Sequence, residues 1–119
     1  MKNKIVYVGM SADIIHEGHI NILKHASKLG KVIVGLLTDE AISTYKKIPI
    51  LSYNQREVIL KNIKQVYKII PQKTHDFSEN LIKIKPDFVV HADDWKKGVQ
   101  KKVSQKVLKV IKKWPCKLI

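Results

Sequence analysis

"GMSADIIHEGH", Gly9 to His19, closes an apolar run, "KIVYV" (Lys4–Val8), and leads into a segment patterned as a helix. A strand that passes through a short polar loop into a helix is the unit from which parallel sheets are built. His16 and His19 are three residues apart, so at the first turn of a helix they share a face. Gly18 between them, lacking a side chain, lets a ligand come close to the backbone. Metal, phosphate and simple packing are the three roles open to such a pair. Zinc proteases need H-E-x-x-H, with histidines four apart. "HEGH" has a different spacing, and no nearby cysteine or obvious third ligand completes a site, so no metal ligands are assigned. The N–H groups and dipole of a helix N-terminus favour an anion, and two imidazoles would add hydrogen-bond donors. Phosphate is therefore the preferred reading. His25 and His75 have no such context and read as surface or packing residues.

The same strand-to-helix alternation continues along the chain. "KVIVGLL" (Lys31–Leu37), "VYKIIP" (Val66–Pro71) and "DFVVH" (Asp87–His91) are apolar and β-branched without strict alternation, as in strands covered on both faces. Between them, "HINILKHASKL" places Ile20, Leu23, Ala26 or Ser27 and Leu29 near one stripe and ends at Gly30. "LSYNQREVILKNI" opens with Ser52 and Gln55 at capping-box spacing. Ser78 to Lys83 suits a short helix stopped by Pro86. "VQKKVSQKVLKVIKKW" aligns Val99, Val103, Val107, Val110 or Ile111, and Trp114. "CKLI", after Pro115, reads as the opening of a fifth strand. Right-handed crossovers between such strands predict a single α/β domain over residues 1–119, a Rossmann-like doubly wound parallel sheet with helices on both faces. The one longer irregular connection is "YKKIPIL", Tyr45 to Leu51, a kind of loop that often carries function.

Charge narrows the partners. The formal net charge is +13 over 119 residues, which points to anionic partners. Of 23 lysines and arginines only Arg56 is an arginine, and the lysines are scattered. Nucleic-acid readers rely on arginine forks and interleaved aromatics, so nucleic acid is not the expected partner. Arg56 stands out because lysine cannot copy its planar five-donor fork. Cys116 is the sole cysteine, which excludes an internal disulfide and fits a reducing, cytoplasmic setting. No apolar run approaches the ~18 residues of a membrane span.

"SADIIHEGH" resembles the H-x-G-H signature of the nucleotidyltransferase superfamily, specifically its cytidylyltransferase branch, which includes glycerol-3-phosphate and phosphocholine cytidylyltransferases. "LKHASKLGKVIVGLLTDE", "QREVILKNIKQVYKIIP" and "VVHADDW" extend the resemblance over essentially the whole chain. "MSADIIHEGH", "GLLTDEAI" and "HADDWKKGVQ" are most similar to the cytidylyltransferase-like domain found with phosphoenolpyruvate mutases of phosphonate biosynthesis. The resemblance implies transfer of CMP from CTP to a phosphorylated or phosphonylated small molecule, with Mg²⁺ bridging the phosphates, pyrophosphate released, and a homodimer. It also implies roles. His16 and His19 would hold the triphosphate and the transition state, Lys46 would reach a phosphate, and Arg56 would bind phosphate at its helix. Ser11 and Asp13 would stand where the family's Thr and Asp precede the first histidine. Asp94 and Trp95 would line the cytidine pocket.

The chain departs from that pattern in places. Met10, Ser11, Ala12 and Asp13 stand where glycerol-phosphate enzymes have Gly-Thr-Phe-Asp, Lys64 replaces an arginine, and Tyr67 replaces an acidic residue. The family closes with an Arg-x-x-Gly-Ile-Ser-Thr-type phosphate-binding segment, which does not occur before Ile119. The expectation is a fold truncated at its fifth strand, whose catalysis needs sequence beyond Ile119. The alternative is a non-catalytic or regulatory CTP-binding domain.

Overall fold

Each of the apolar runs forms a strand, and the strands join in one sheet. The computed structural model describes residues 4–44, 49–74, 76–91, 105 and 107–119. Its elements are β1 (Ile5–Met10), α1 (Glu17–Leu29), β2 (Lys31–Leu37), α2 (Asp39–Ser43), α3 (Tyr53–Lys61), β3 (Val66–Gln72), α4 (Ser78–Ile84), β4 (Phe88–His91) and β5 (Lys117–Leu118). A helical stretch at 107–111 precedes β5. The sheet is parallel throughout, in the order β3-β2-β1-β4-β5. β1 is central, with Val8 opposite both Val34 of β2 and Val90 of β4. The chain builds outward from β1 to β3, then crosses back to β4 on the far side. That reversal opens a crevice at the carboxyl end of β1, where ligands bind in open α/β sheets.

Alternate residues of β1 serve the two faces. Val6, Val8 and Met10 pack with Leu23 and Ala26 of α1 and Leu60 of α3. Tyr7 packs with Phe77, Leu81 of α4, Val107 and Ile111 on the other. Burial on both sides explains why these strands lack alternation in sequence. β3 differs: it is an edge strand, and Tyr67 and Lys68 are exposed. Its Pro71 lies within the edge, a position where a missing N–H is tolerated. The expected fifth strand is present as a two-residue pairing with β4.

One buried polar network crosses the α4 face. The Tyr7 hydroxyl donates to Gln72 Oε1, and Asn80 Nδ2 donates to Tyr7 Oη at 3.0 Å and to the Pro71 carbonyl at 3.0 Å. Burial pushes the Tyr7 phenol above its usual range, so it is a neutral donor. Gly35 makes room for it: a Cβ there would lie 1.7 Å from Tyr7 Oη.

Candidate functional site: the carboxyl end of β1 and β2

The loop between β1 and α1 is held by four side chains. His16 is the N-cap of α1, with φ −139° and ψ −178°, and its Nδ1 accepts from Gly18 N at 3.0 Å. His19, at N3, accepts from His16 N at its own Nδ1, at 3.2 Å. The two histidines thus form a reciprocal capping box, the role usually taken by Ser/Thr and Glu/Gln. Their ring centroids are 4.1 Å apart. An imidazole that accepts at Nδ1 carries its proton on Nε2 when neutral, so both rings are set as Nε2–H donors. The N–H groups of His16 and Gly18 at the helix start are thus engaged by the rings. Gly18 serves the cap directly: a Cβ there would sit 2.8 Å from His16 Cε1.

Asp13 joins two loops. Its Oδ1 accepts from Leu51 N at 2.9 Å and its Oδ2 from Ile50 N at 3.0 Å. The chain on either side of it is left-handed, with φ 52° at Ala12 and 83° at Ile14. Those bonds fasten the β1–α1 loop to the segment that leads into α3.

Arg56 braces the same corner from inside. Its side chain is fully buried on α3, one turn before Leu60. Nε donates to the Leu51 carbonyl at 3.1 Å, and Nη1 to the carbonyls of Ser11 at 2.7 Å and Leu37 at 2.6 Å. Nη2 donates to Asp39 Oδ1 at 2.7 Å. Ser11 follows β1, Leu37 ends β2, Asp39 opens α2 and Leu51 precedes α3, so one guanidinium ties four segments together. With four donors directed at carbonyls and Asp39, Arg56 holds these loops together. Ser11 contributes its backbone to this brace and is itself buried.

Residues 7–116 match the cytidylyltransferase-like family model, over a chain whose crevice, paired histidines and braced loops are as described. The chain belongs to the cytidylyltransferase-like family. It is 35% identical over 97 residues to the glycerol-3-phosphate cytidylyltransferase of Bacillus subtilis (strain 168), covering 80% of the chain and 74% of that protein. It is 38% identical over 96 residues to the FAD synthase of Korarchaeum cryptofilum, covering 76% of the chain and 65% of that protein. It is 30% identical over 95 residues to the ethanolamine-phosphate cytidylyltransferase of Arabidopsis thaliana, covering 75% of the chain but 23% of that protein. The match to these last two spans less than two thirds of their length. Among solved structures, the lipopolysaccharide core biosynthesis protein of Thermoplasma volcanium GSS1 superposes with a TM-score of 0.78 at 28% identity, covering 97% of this chain and 93% of that one.

Within this cytidylyltransferase-like chain, the structure brings Ser11, Asp13, His16, Gly18, His19 and Arg56 to one corner. Lys46, Asp94 and Trp95 lie outside the described residues. His25 is exposed on α1. Sequence reasoning missed α2 and Asp39, the carboxylate that pairs with Arg56. Thr38, followed by two acidic residues, was the available signal: its Oγ1 accepts from Ala41 N at 3.2 Å as the N-cap. Among the described residues no group of three or more His, Cys, Asp and Glu side chains is placed to hold a metal ion, and no helix is long and apolar enough to cross a membrane.

Proposed function

We propose that this protein transfers CMP from CTP to a phosphate- or phosphonate-bearing small molecule and releases pyrophosphate. The observation that carries the reading is the reciprocal histidine cap at the start of α1, beside the carboxyl end of the central strand. An acceptor phosphate or phosphonate oxygen is already anionic and needs no general base. It attacks the α-phosphorus, the bond to the pyrophosphate oxygen breaks, and pyrophosphate leaves with that electron pair. The chain's part is in-line positioning and donation to the phosphate oxygens. His16 and His19 donate from Nε2, while Asp13 and Arg56 hold their loop in register.

Lys46 would add a cation to the leaving phosphates, and Asp94 and Trp95 would select the base. Mg²⁺ would supply charge neutralisation across the triphosphate. Asp13 directs both carboxylate oxygens at backbone N–H groups and Asp39 pairs with Arg56, so phosphate oxygens and water would form most of its shell. The phosphonate-pathway resemblance favours a phosphonate acceptor, and the similarity to FAD synthases keeps AMP transfer from ATP as the second reading. A homodimer in the cytoplasm completes the proposal. The exposed Val58, Ile59 and Tyr67 on α3 and β3 would give a second copy apolar surface, and sedimentation velocity tests it.

Pyrophosphate release tests the function, with CTP and ATP each paired with 2-aminoethylphosphonate, phosphocholine, phosphoethanolamine and glycerol 3-phosphate. Turnover with CTP and one of these acceptors supports the reading. Turnover with ATP alone moves the chain to the second reading. CTP binding without turnover favours the regulatory alternative.

A further inference from the structure

A cavity of about 380 Å³ lies between the edge strand β3 and α4, within the size range of small-molecule sites. None of Ser11, Asp13, His16, His19 and Arg56 lines it. Lys68, Ile70 and Gln72, alternate residues of β3, form one wall, and Asn80, Lys83 and Ile84 of α4 face them. The wall is not purely apolar, because Gln72 and Asn80 are both buried in it. Asn80 Nδ2 donates inward, to Tyr7 Oη and to the Pro71 carbonyl, each at 3.0 Å. A carbonyl can only accept, which fixes the amide with its NH₂ end on Pro71. Among the described residues no donor reaches Asn80 Oδ1, and no fully buried side-chain oxygen or nitrogen lacks a partner. That oxygen therefore opens to the cavity as an acceptor awaiting a donor.

The mouth is cationic. Lys68 from β3, Lys73 from the following loop and Lys83 from α4 converge on it, all exposed. Two carboxylates accompany them, and Asp76 directs its Oδ1 at the N–H and hydroxyl of Ser78. Glu79 and Lys83 are four apart on α4, the spacing at which such side chains meet. Yet among the described residues neither of them, nor Lys68 or Lys73, is in an ion pair. Scattered lysines are ordinary on a chain of net charge +13. Three that converge from strand, loop and helix on a cavity with an unmet acceptor in its wall are not explained by surface solvation alone.

We propose that this cavity is a second binding site, separate from the crevice, for a small organic anion that carries a hydroxyl or amino donor on its carbon frame. The anionic group meets the lysines at the mouth, the donor meets Asn80 Oδ1 with Glu79 beside it, and the frame lies along Ile70 and Ile84. Each part excludes something. Inorganic phosphate would satisfy the lysines alone, and a neutral sugar the wall alone. The site shares no residue with the transfer reading, so it stands or falls independently of it.

The test uses the full nitrogen-labelled chain with CTP present throughout. Three probes are titrated at constant ionic strength: glucosamine 6-phosphate, which has anion, donors and frame together, then glucosamine and inorganic phosphate separately. The Asn80 side-chain amide and the backbone signals of Thr74 and Lys83 should shift saturably with glucosamine 6-phosphate, and each separate half should bind at least about tenfold more weakly, as loss of a charge-assisted hydrogen bond would require. Lys83→Glu, at an exposed position, should weaken glucosamine 6-phosphate by about tenfold or more on the same grounds. Lys28→Glu, the same charge change at an exposed position of α1, should leave it unaltered. Signals unmoved by glucosamine 6-phosphate overturn the site, and so does a second copy that closes over the cavity and shuts the probe out. Inorganic phosphate binding as tightly as glucosamine 6-phosphate, or equal losses in Lys83→Glu and Lys28→Glu, would reduce it to general attraction by a basic surface and overturn it as well. Failure of CTP to bind would count against the transfer reading and leave this result to be read by itself.

Discussion

Arg56 and Tyr7 are both fully buried polar residues, on opposite faces of one sheet. Arg56 directs its guanidinium at the carbonyls of Ser11, Leu37 and Leu51 and at Asp39, all at or beyond the carboxyl ends of strands. Tyr7 meets Gln72 and Asn80, joining β1, β3 and α4 beneath the surface. Either group would be costly to leave without partners. The partners differ in kind, however: loop backbone at a crevice for Arg56, mainly core side chains for Tyr7. Disturbing Arg56 should therefore alter stability and ligand binding together, whereas disturbing Tyr7 should alter stability alone.

Replacing Arg56 gives the largest expected effect. Arg56→Met leaves three carbonyls without their donor, at ~1–3 kcal/mol for each buried acceptor left unpaired. Urea unfolding should show the loss, and calorimetry below the transition should show CTP binding reduced or abolished. Arg56→Lys keeps the charge without the fork, so binding should still weaken. Wild-type CTP affinity in Arg56→Lys would break the link between brace and site.

On the other face, Gly35→Ala forces a Cβ into the Tyr7 hydroxyl. Overpacking of this kind costs roughly 1–3 kcal/mol, visible in the urea midpoint, with CTP affinity retained once the variant is folded. Tyr7→Phe should cost about 1–2 kcal/mol by taking a hydrogen-bond partner from Gln72 and Asn80, again without loss of CTP affinity. A large loss of affinity in either variant would erase the contrast between the faces. Asp13→Asn sharpens the contrast from the crevice side. An amide has one acceptor oxygen for two N–H groups, so stability should fall by only about 1 kcal/mol, while CTP and acceptor binding weaken more as the two loops separate.

The difference between the faces also marks what could be read from sequence. β1 and β2 were legible because burial on both sides writes itself as unbroken apolar runs, and β2 occupies the same residues as its run, Lys31–Leu37. α2 was not, because five residues are too few to show a period; only Thr38 and the acids after it mark its start. Arg56 was conspicuous as the sole arginine, and its fork is indeed used. Sequence could not tell that α3 turns it inward, since Val58 and Ile59, the apolar residues that would have suggested a buried stripe, are exposed instead. The three-residue spacing of His16 and His19 was plain. Their mutual capping was not, because it depends on which ring nitrogen faces the backbone, a feature only coordinates carry.

That capping bears the central claim, that nucleotide phosphates rest on the Nε2–H groups of His16 and His19. Long-range nitrogen–proton spectra of the histidine rings during a CTP titration test it most directly. The account predicts that the Nε2 signals of His16 and His19 shift together and saturate with CTP, that their Nδ1 signals keep the pattern of acceptors, and that the exposed His25 stays still. Rings of His16 and His19 that remain unmoved at saturating CTP, or that move no more than His25, would contradict it.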